Sequence, residues 1–129
     1  MKTALINALL VGTGGFLGAM ARYGLSGLVQ RASKLSTFPY GTLVVNMVGC
    51  LMIGLLIGLM ESRQVFGPEF RVFAIIGILG GFTTFSAFGY ETFAMLRSEE
   101  YFRAAANVAL QVIMGLALVW LGYISSASR

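Results

Sequence analysis

Residues 80–88 read Gly-Gly-Phe-Thr-Thr-Phe-Ser-Ala-Phe and lie in the middle of an apolar stretch that covers residues 72–96. The stretch is long enough to cross a bilayer, which takes about 20 residues. A simple membrane anchor needs neither a glycine pair nor clustered hydroxyls at its centre. Polar groups are unfavourable in hydrocarbon unless they find partners, so polar residues within a span are functional candidates. This segment therefore indicates that the protein passes something through the membrane.

The composition is typical of a polytopic membrane protein. Of the 129 residues, 57% are hydrophobic and 11% are charged, whereas soluble domains carry about 25% charged residues. The net charge of +4 comes from basic residues near the ends of apolar runs rather than from a basic patch, so we expect no nucleic-acid partner. Cys50 is the only cysteine and histidine is absent. We therefore expect neither a conventional His/Cys metal site nor an enzyme.

Four spans fill the chain, which predicts one all-α transmembrane domain over residues 1–129 in the cell (inner) membrane. The predicted spans cover residues 4–29, 41–60, 72–96 and 104–124. Gly80-Gly81 and Thr83-Thr84 predict that the third helix is broken near its middle, because glycine disfavours helix and threonine hydroxyls compete for backbone groups. The freed carbonyls would hold a cation; the alternative is a kink whose backbone is satisfied.

Glycines at helical spacing predict close packing between the spans. Gly14 with Gly18, and Gly54 with Gly58, form small-xxx-small pairs. We assign the same packing role to the other glycines of the first span, which are Gly12, Gly15, Gly24 and Gly27.

Basic residues are nearly balanced between the two membrane faces. One face carries Lys2, Arg63, Arg71 and Arg129, and the other carries Arg31, Lys34, Arg97 and Arg103, with Arg22 near the end of the first span. Membrane orientation follows the Lys/Arg bias between loops. Two interpretations stay open: other features select one orientation, or the chain inserts in both and forms antiparallel dimers. Four short helices are too few to enclose a pore, so we expect an oligomer in either case.

Phe85 and Phe88 are i,i+3 neighbours and share a helix face. A phenyl ring has a positive edge, which can contact a small anion without a fixed charge. Thr84 and Ser86 add hydroxyl donors beside the rings. Weak, neutral sites suit conduction, because a bound ion must also leave. The alternative is that the rings only pack against neighbouring helices.

Other polar residues also lie within the spans. Asn46 carries an amide that either donates to an anion or hydrogen-bonds to another helix. Asn107 and Gln111 are i,i+4 and form a polar stripe on the fourth span. Arg22 and Glu91 lie toward the same membrane face, which suggests an ion pair or a vestibule role.

Three motifs support a family resemblance: Gly14-Gly15-Phe16-Leu17-Gly18-Ala19 leading to Arg22-Tyr23, Gly41-Thr42-Leu43-Val44-Val45-Asn46, and the segment from Gly80 to Phe88. With these motifs the chain resembles the Fluc (CrcB) family of microbial fluoride channels over its whole four-span length. The resemblance implies a dual-topology, antiparallel homodimer in the lipid bilayer. It also implies two fluoride pores, passive export of cytoplasmic fluoride and a central structural sodium ion.

The resemblance also assigns roles to single residues. Fluoride-pore roles are implied for Asn46, Phe85 and Phe88, with the hydroxyls of Thr84 and Ser86. Gly80 and Thr83 match the helix break whose backbone carbonyls hold sodium, and Arg22 matches the arginine that follows the first-span motif. The polar track of the fourth span varies within the family, and Asn107 and Gln111 are its candidates here.

Two other classes of protein share some of these features. A small multidrug transporter has four spans and dual topology, but it needs an acid within its first span for proton exchange. The first span here has none, and Glu91 lies late in the third. A non-transporting assembly subunit would explain the glycines but not the clustered rings and hydroxyls.

Overall fold

The computed structural model describes residues 1–34, 37–64 and 66–127. This part of the chain forms five helices: α1 (Lys2–Ala32), α2 (Tyr40–Arg63), α3 (residues 68–82), α4 (Phe85–Arg97) and α5 (Tyr101–Ala127). Four spans result, because α3 and α4 together make the third; each span is long and apolar enough to cross a membrane. The predicted all-α architecture is confirmed.

The helices extend beyond the predicted spans. The first helix runs from Lys2 to Ala32, so it begins before and ends after the predicted span of residues 4–29. Arg103, predicted to lie in a loop, is in the first turn of α5. Hydropathy marks the hydrocarbon core, whereas backbone hydrogen bonding continues into the polar interface. Arg129, part of the charge balance above, lies outside the described residues.

The third span is broken where α3 meets α4. Thr83 has φ −85° and ψ 158°, and Thr84 has φ −148° and ψ 115°, so both residues are extended. Gly80 and Gly81 still belong to the helix. The predicted break is therefore confirmed, although it follows the glycine pair. The Thr84 hydroxyl accepts a hydrogen bond from the Ala87 N–H at 3.2 Å and caps the new helix.

Glycines allow α1 to contact α3 and α2 to contact α5. A Cβ atom on Gly14 would lie 2.6 Å from the Phe73 carbonyl oxygen, and one on Gly58 would lie 2.6 Å from the Tyr123 carbonyl oxygen. The predicted packing roles of the two small-xxx-small pairs are confirmed. Gly12, Gly24 and Gly27 differ: among the described residues, no atom lies within 4 Å of a Cβ at these positions. Their assignment to packing within this chain was wrong.

Bulky apolar side chains lie mainly on the outside of the bundle. Phe102 is 86% exposed and Trp120 is 62% exposed, while Asn107 is completely buried. Lipid is as apolar as these side chains, so helices in a membrane associate through small residues and internal hydrogen bonds. Apolar side chains on the outside and polar side chains inside are the arrangement expected for a protein surrounded by lipid.

Replacing Gly14 with alanine is expected to lower the stability of the protein by about 1–3 kcal/mol, the usual penalty for overpacking. The added methyl group would meet backbone atoms of α3, which have no rotamer with which to move aside. Gly24→Ala is the matched control on the same helix. We expect thermal unfolding in detergent, followed by size-exclusion chromatography, to lose the Gly14→Ala protein at a lower temperature. Equal midpoints for both variants would contradict the packing role.

Candidate functional site

The side chain of Asn46 holds the broken backbone of the third span. The Thr84 N–H donates to Asn46 Oδ1 at 2.9 Å. Asn46 Nδ2 in turn donates to the Thr84 carbonyl oxygen at 3.1 Å. The carboxamide thus replaces one helical donor and one helical acceptor, which would be unfavourable to leave unpaired at membrane depth.

The carbonyls of residues 80–83 lose their helical donors at the break, and Arg22 binds one of them, Gly81. In a continuous helix, Gly80 would accept from the Thr84 N–H and Thr83 would accept from the Ala87 N–H. Those donors are instead bound to Asn46 and to the Thr84 hydroxyl. Within residues 1–34, 37–64 and 66–127, no hydrogen bond to the Gly80 or Thr83 carbonyl is found. A cation bound to these carbonyls stays a prediction.

A cavity of about 410 Å³ opens beside the break. Its polar lining contains Gly80 and Thr83, whose carbonyls lose their helical donors, the hydrogen-bonded pair Asn46 and Thr84, and Gln111 of α5. The lining residues include Asn46, Gly80, Thr83, Thr84, Phe85, Phe88 and Gln111. Cys50 also lines the cavity. Most of the predicted site residues are thus brought together in one place.

The two predicted pore rings contact each other at this cavity. The ring centroids of Phe85 and Phe88 are 5.5 Å apart and the ring planes are inclined by 58°. Phe85 is 82% exposed, so its ring is not packed against another helix of this chain. The hydroxyl oxygens of Thr84 and Ser86 lie 3.4 Å apart; Thr84 lines the cavity and Ser86 does not.

The polar stripe on α5 divides between two environments. Gln111 lines the cavity and its Oε1 accepts from Asn46 Nδ2 at 3.1 Å. Asn107 is buried against α4, where its Nδ2 donates to the Thr92 hydroxyl at 3.0 Å. Asn107 does not line the cavity. Its role as a pore residue stays a prediction, whereas Gln111 lies beside the other candidates.

Arg22 and Glu91 bind different groups. Arg22 Nε donates to the Gly81 carbonyl at 3.1 Å and so holds the end of α3. Glu91 Oε1 accepts from the Thr42 hydroxyl at 2.6 Å. Among the described residues, Arg22 and Glu91 do not form the ion pair considered above, and each is held by a group on another helix. A vestibule role for these two residues stays a prediction.

Two partner residues were missed in the sequence. Thr42 binds Glu91, and Thr92 links Asn107 to the Phe88 carbonyl. Thr42 lies four residues before Asn46 and Thr92 four residues after Phe88. Both threonines could have been found in the sequence, because each lies one helical turn from a residue that was already assigned.

The site has neutral donors, two aromatic rings and freed carbonyls around a cavity at a helix break in the membrane. Those features define an ion-conducting or ion-binding membrane protein rather than a catalyst. The family described as "CrcB-like protein, Camphor Resistance (CrcB)" matches residues 9–123. The chain belongs to the CrcB family, which confirms the resemblance inferred from the three motifs.

Curated relatives match over most of their own length. The fluoride-specific ion channel FluC of Methylobacillus flagellatus is 46% identical over 117 residues, which cover 91% of each chain. Fluoride-specific ion channel FluC 1 of Methanosarcina acetivorans is 45% identical over 118 residues, or 92% of this chain and 88% of the relative. The channel of Nitratidesulfovibrio vulgaris is 44% identical over 113 residues.

Proposed function

We propose that this protein is a fluoride-selective ion channel through which cytoplasmic fluoride leaves the cell passively. One observation carries the proposal: Phe85, Phe88 and neutral hydrogen-bonding groups line one cavity at a helix break within the membrane. The relatives named above as fluoride-specific channels support the same ion. The multidrug transporter is not supported, because α1 carries no acid.

Fluoride holds its hydration water strongly, so the pathway must offer many replacement contacts. The hydroxyls of Thr84 and Ser86 supply donors, the Gln111 amide supplies another, and the ring edges of Phe85 and Phe88 carry partial positive charge. Each of these groups is neutral. A bound ion can therefore move on when the next one enters, as conduction requires.

The functional unit in this proposal is an antiparallel homodimer with two pores in the cell (inner) membrane. The exposed face of α4 supports a partner, because the Ser86 hydroxyl is exposed at mid-membrane depth, where lipid offers it no hydrogen bond. A second copy would cover this face. The near-balance of basic residues on the two faces supports insertion in both orientations.

The freed carbonyls of Gly80 and Thr83 fit the structural sodium ion that the family resemblance implies. Sodium is a hard cation that takes oxygen ligands, and both oxygens are left without a helical donor by the break. In the antiparallel dimer, each subunit would contribute its own pair to the central ion. The ion would supply positive charge that holds the two breaks together, and fluoride flow would not depend on a sodium gradient.

Reconstitution in liposomes tests the proposed function. Purified protein is incorporated at low density into vesicles loaded with potassium fluoride, and release is started with valinomycin and followed with a fluoride electrode. We expect rapid fluoride release and no comparable chloride release. Vesicles without protein give the background leak. Release no faster than this background would overturn the channel assignment.

Dual topology has its own test. Reporter fusions at the C-terminus are expected to report both sides of the membrane, because the Lys/Arg bias is too small to select one orientation. Adding arginines to the loop between α2 and α3 should shift the population to a single orientation. Reporters confined to one side in the unmodified protein would contradict the antiparallel dimer.

A further inference from the structure

A groove of about 290 Å³ lies between the beginning of α2 and the beginning of α5. Its lining residues are Phe38, Tyr40, Phe102, Arg103, Ala106 and Leu110. Phe102 is 86% exposed and Tyr40 is 40% exposed, so the groove opens to the outside of the chain. It shares no lining residue with the cavity beside the helix break. The groove is therefore separate from the proposed ion pathway.

The groove changes from charged to apolar along the fourth span. Arg103 lies in the first turn of α5, at the beginning of the span. Ala106 and Leu110 follow later on the same helix and are half-buried. At a rise of about 1.5 Å per residue, Leu110 lies roughly 10 Å from Arg103 along the helix axis. The groove thus connects the headgroup level of the membrane to the hydrocarbon region, which is the polarity of a phospholipid.

Arg103 has hydrogen-bond donors available at the polar end of the groove. Its Nη1 donates to the Thr37 hydroxyl and, at 3.0 Å, to Glu100 Oε2. A guanidinium has five N–H donors, and within residues 1–34, 37–64 and 66–127 no hydrogen bond from Nε or Nη2 of Arg103 is found. The Arg103 side chain is 49% exposed. Its open edge can therefore bind a phosphate through two parallel hydrogen bonds, the arrangement that arginine favours.

A shallow second groove of about 480 Å³ adjoins the first and carries negative charge. The two grooves share Phe102 and Arg103, and the second adds Glu99, Glu100 and Tyr101. Glu99 is exposed, and in the described part of the chain no hydrogen bond or ion pair to its carboxylate is found. Glu100 binds Arg103 through one oxygen, Oε2. The guanidinium therefore lies between an apolar wall on one side and two carboxylates on the other.

We propose that the two grooves together bind one phospholipid whose headgroup carries a phosphate and a primary ammonium, which is the chemistry of phosphatidylethanolamine. The phosphate would bind the open edge of Arg103, and the ammonium would donate to the carboxylates of Glu99 and Glu100. One acyl chain would lie along Phe102 toward Leu110. The lipid site does not depend on which ion the protein conducts. In the antiparallel dimer proposed above, each leaflet would contain one such site.

The charges beside the groove discriminate among phospholipids. Phosphatidylglycerol has the phosphate but no positive group to neutralise the two carboxylates. Phosphatidylcholine has a quaternary ammonium, which has no N–H to donate. Such groups are bound by aromatic cages, and Tyr101 and Phe102, which are 64% and 86% exposed, do not enclose one. Phosphatidylethanolamine is therefore the expected ligand.

Native mass spectrometry of the purified protein in detergent measures the binding. The protein is titrated with phosphatidylethanolamine, phosphatidylcholine or phosphatidylglycerol that carry identical acyl chains. We expect phosphatidylethanolamine to bind about threefold to tenfold more tightly than the other two, the range for one or two partly exposed charged contacts. Equal binding of all three lipids, which is also the result expected if a second copy of the chain covers the groove, would overturn the proposal. Tighter binding of either other lipid would overturn it as well.

Glu99→Gln tests the ammonium site at a carboxylate that has no partner to lose among the described residues. The preference for phosphatidylethanolamine over phosphatidylcholine should fall in this variant and disappear in Glu99→Gln/Glu100→Gln. Glu69→Gln is the matched control, because Glu69 is exposed and lines neither groove. A wild-type preference in the double variant would refute the ammonium contact and with it the proposed ligand.

Arg103→Gln tests the phosphate contact. Binding of all three lipids should weaken, since all three carry the phosphate, whereas Arg97→Gln on the same membrane face should bind as wild type does. Arg97 is exposed and lines neither groove. Because Arg103 also contacts Thr37 and Glu100, unfolding temperatures without lipid are compared, and Glu99→Gln keeps the test decisive if Arg103→Gln is unstable. Wild-type lipid binding by a folded Arg103→Gln protein would overturn the proposal.

Glycerophosphoethanolamine separates a lipid site from a site for a soluble ligand, because it has the same headgroup without acyl chains. At equal concentration it should not displace bound phosphatidylethanolamine, since it leaves the apolar wall of the groove empty. Displacement at equal concentration would show that the acyl chain contributes nothing, and a lipid site would be refuted.

Discussion

Replacing Phe85 or Phe88 with isoleucine is expected to slow fluoride efflux by about tenfold or more. Isoleucine keeps apolar bulk beside the cavity but has no ring edge with partial positive charge. A rise of only about 1.4 kcal/mol in the conduction barrier is enough for a tenfold effect. The measurement compares efflux rates from liposomes at equal amounts of protein with the wild-type elution volume.

Phe93→Ile is the control for this prediction. Phe93 lies on the same helix, is 56% exposed and does not line the cavity. Phe82 is less suitable, because it is buried and its replacement would disturb packing. Wild-type efflux from both the Phe85→Ile and Phe88→Ile proteins would mean that the rings only contact each other and a partner.

Replacing Asn46 with leucine is expected to destabilise the whole protein. The N–H and the carbonyl of Thr84 would both lose their partner within the membrane. Each unsatisfied buried group costs about 1–3 kcal/mol, so the combined loss is a large share of a typical stability of about 5–15 kcal/mol. We expect a strongly lowered unfolding temperature in detergent together with loss of fluoride efflux.

Thr13→Val is the matched control, since it also removes a polar group from a span. Among the described residues, the Thr13 hydroxyl bonds to carbonyls of its own helix, those of Leu9 and Leu10. Those carbonyls keep their helical N–H partners when the hydroxyl is lost, so the variant should unfold near the wild-type temperature. An Asn46→Leu protein as stable as Thr13→Val would show that the break does not depend on the carboxamide.

Much of the architecture could be predicted from local sequence. Long apolar runs predict the spans, because only helices and closed barrels satisfy backbone groups in hydrocarbon. Gly14 with Gly18 and Gly54 with Gly58 predict packing through their spacing. Glycine content without that spacing was a poorer guide at Gly12, Gly24 and Gly27, since a helix has several faces and sequence does not say which of them meets a neighbour.

The candidate site was predicted as a set of residues but not as a network. Asn46, Phe85, Phe88 and Gln111 were all identified, and all line one cavity. Which groups would be free was not predictable, because it depends on partners far apart in the chain. Arg22 binding Gly81 and Thr42 binding Glu91 are two such pairs, each between different helices.

The sequence by itself determined four membrane spans, a break in the third and the residue types of a neutral ion pathway. These properties follow from composition and from spacing within one helix, where neighbours are known in advance. Only the tertiary structure decided that both hydrogens of the Asn46 amide are bound, one to Thr84 and one to Gln111. It also decided that, among the described residues, the helical donors of the Gly80 and Thr83 carbonyls bind elsewhere. A donor is free or bound according to the atoms within about 3 Å of it, and those atoms belong to other helices.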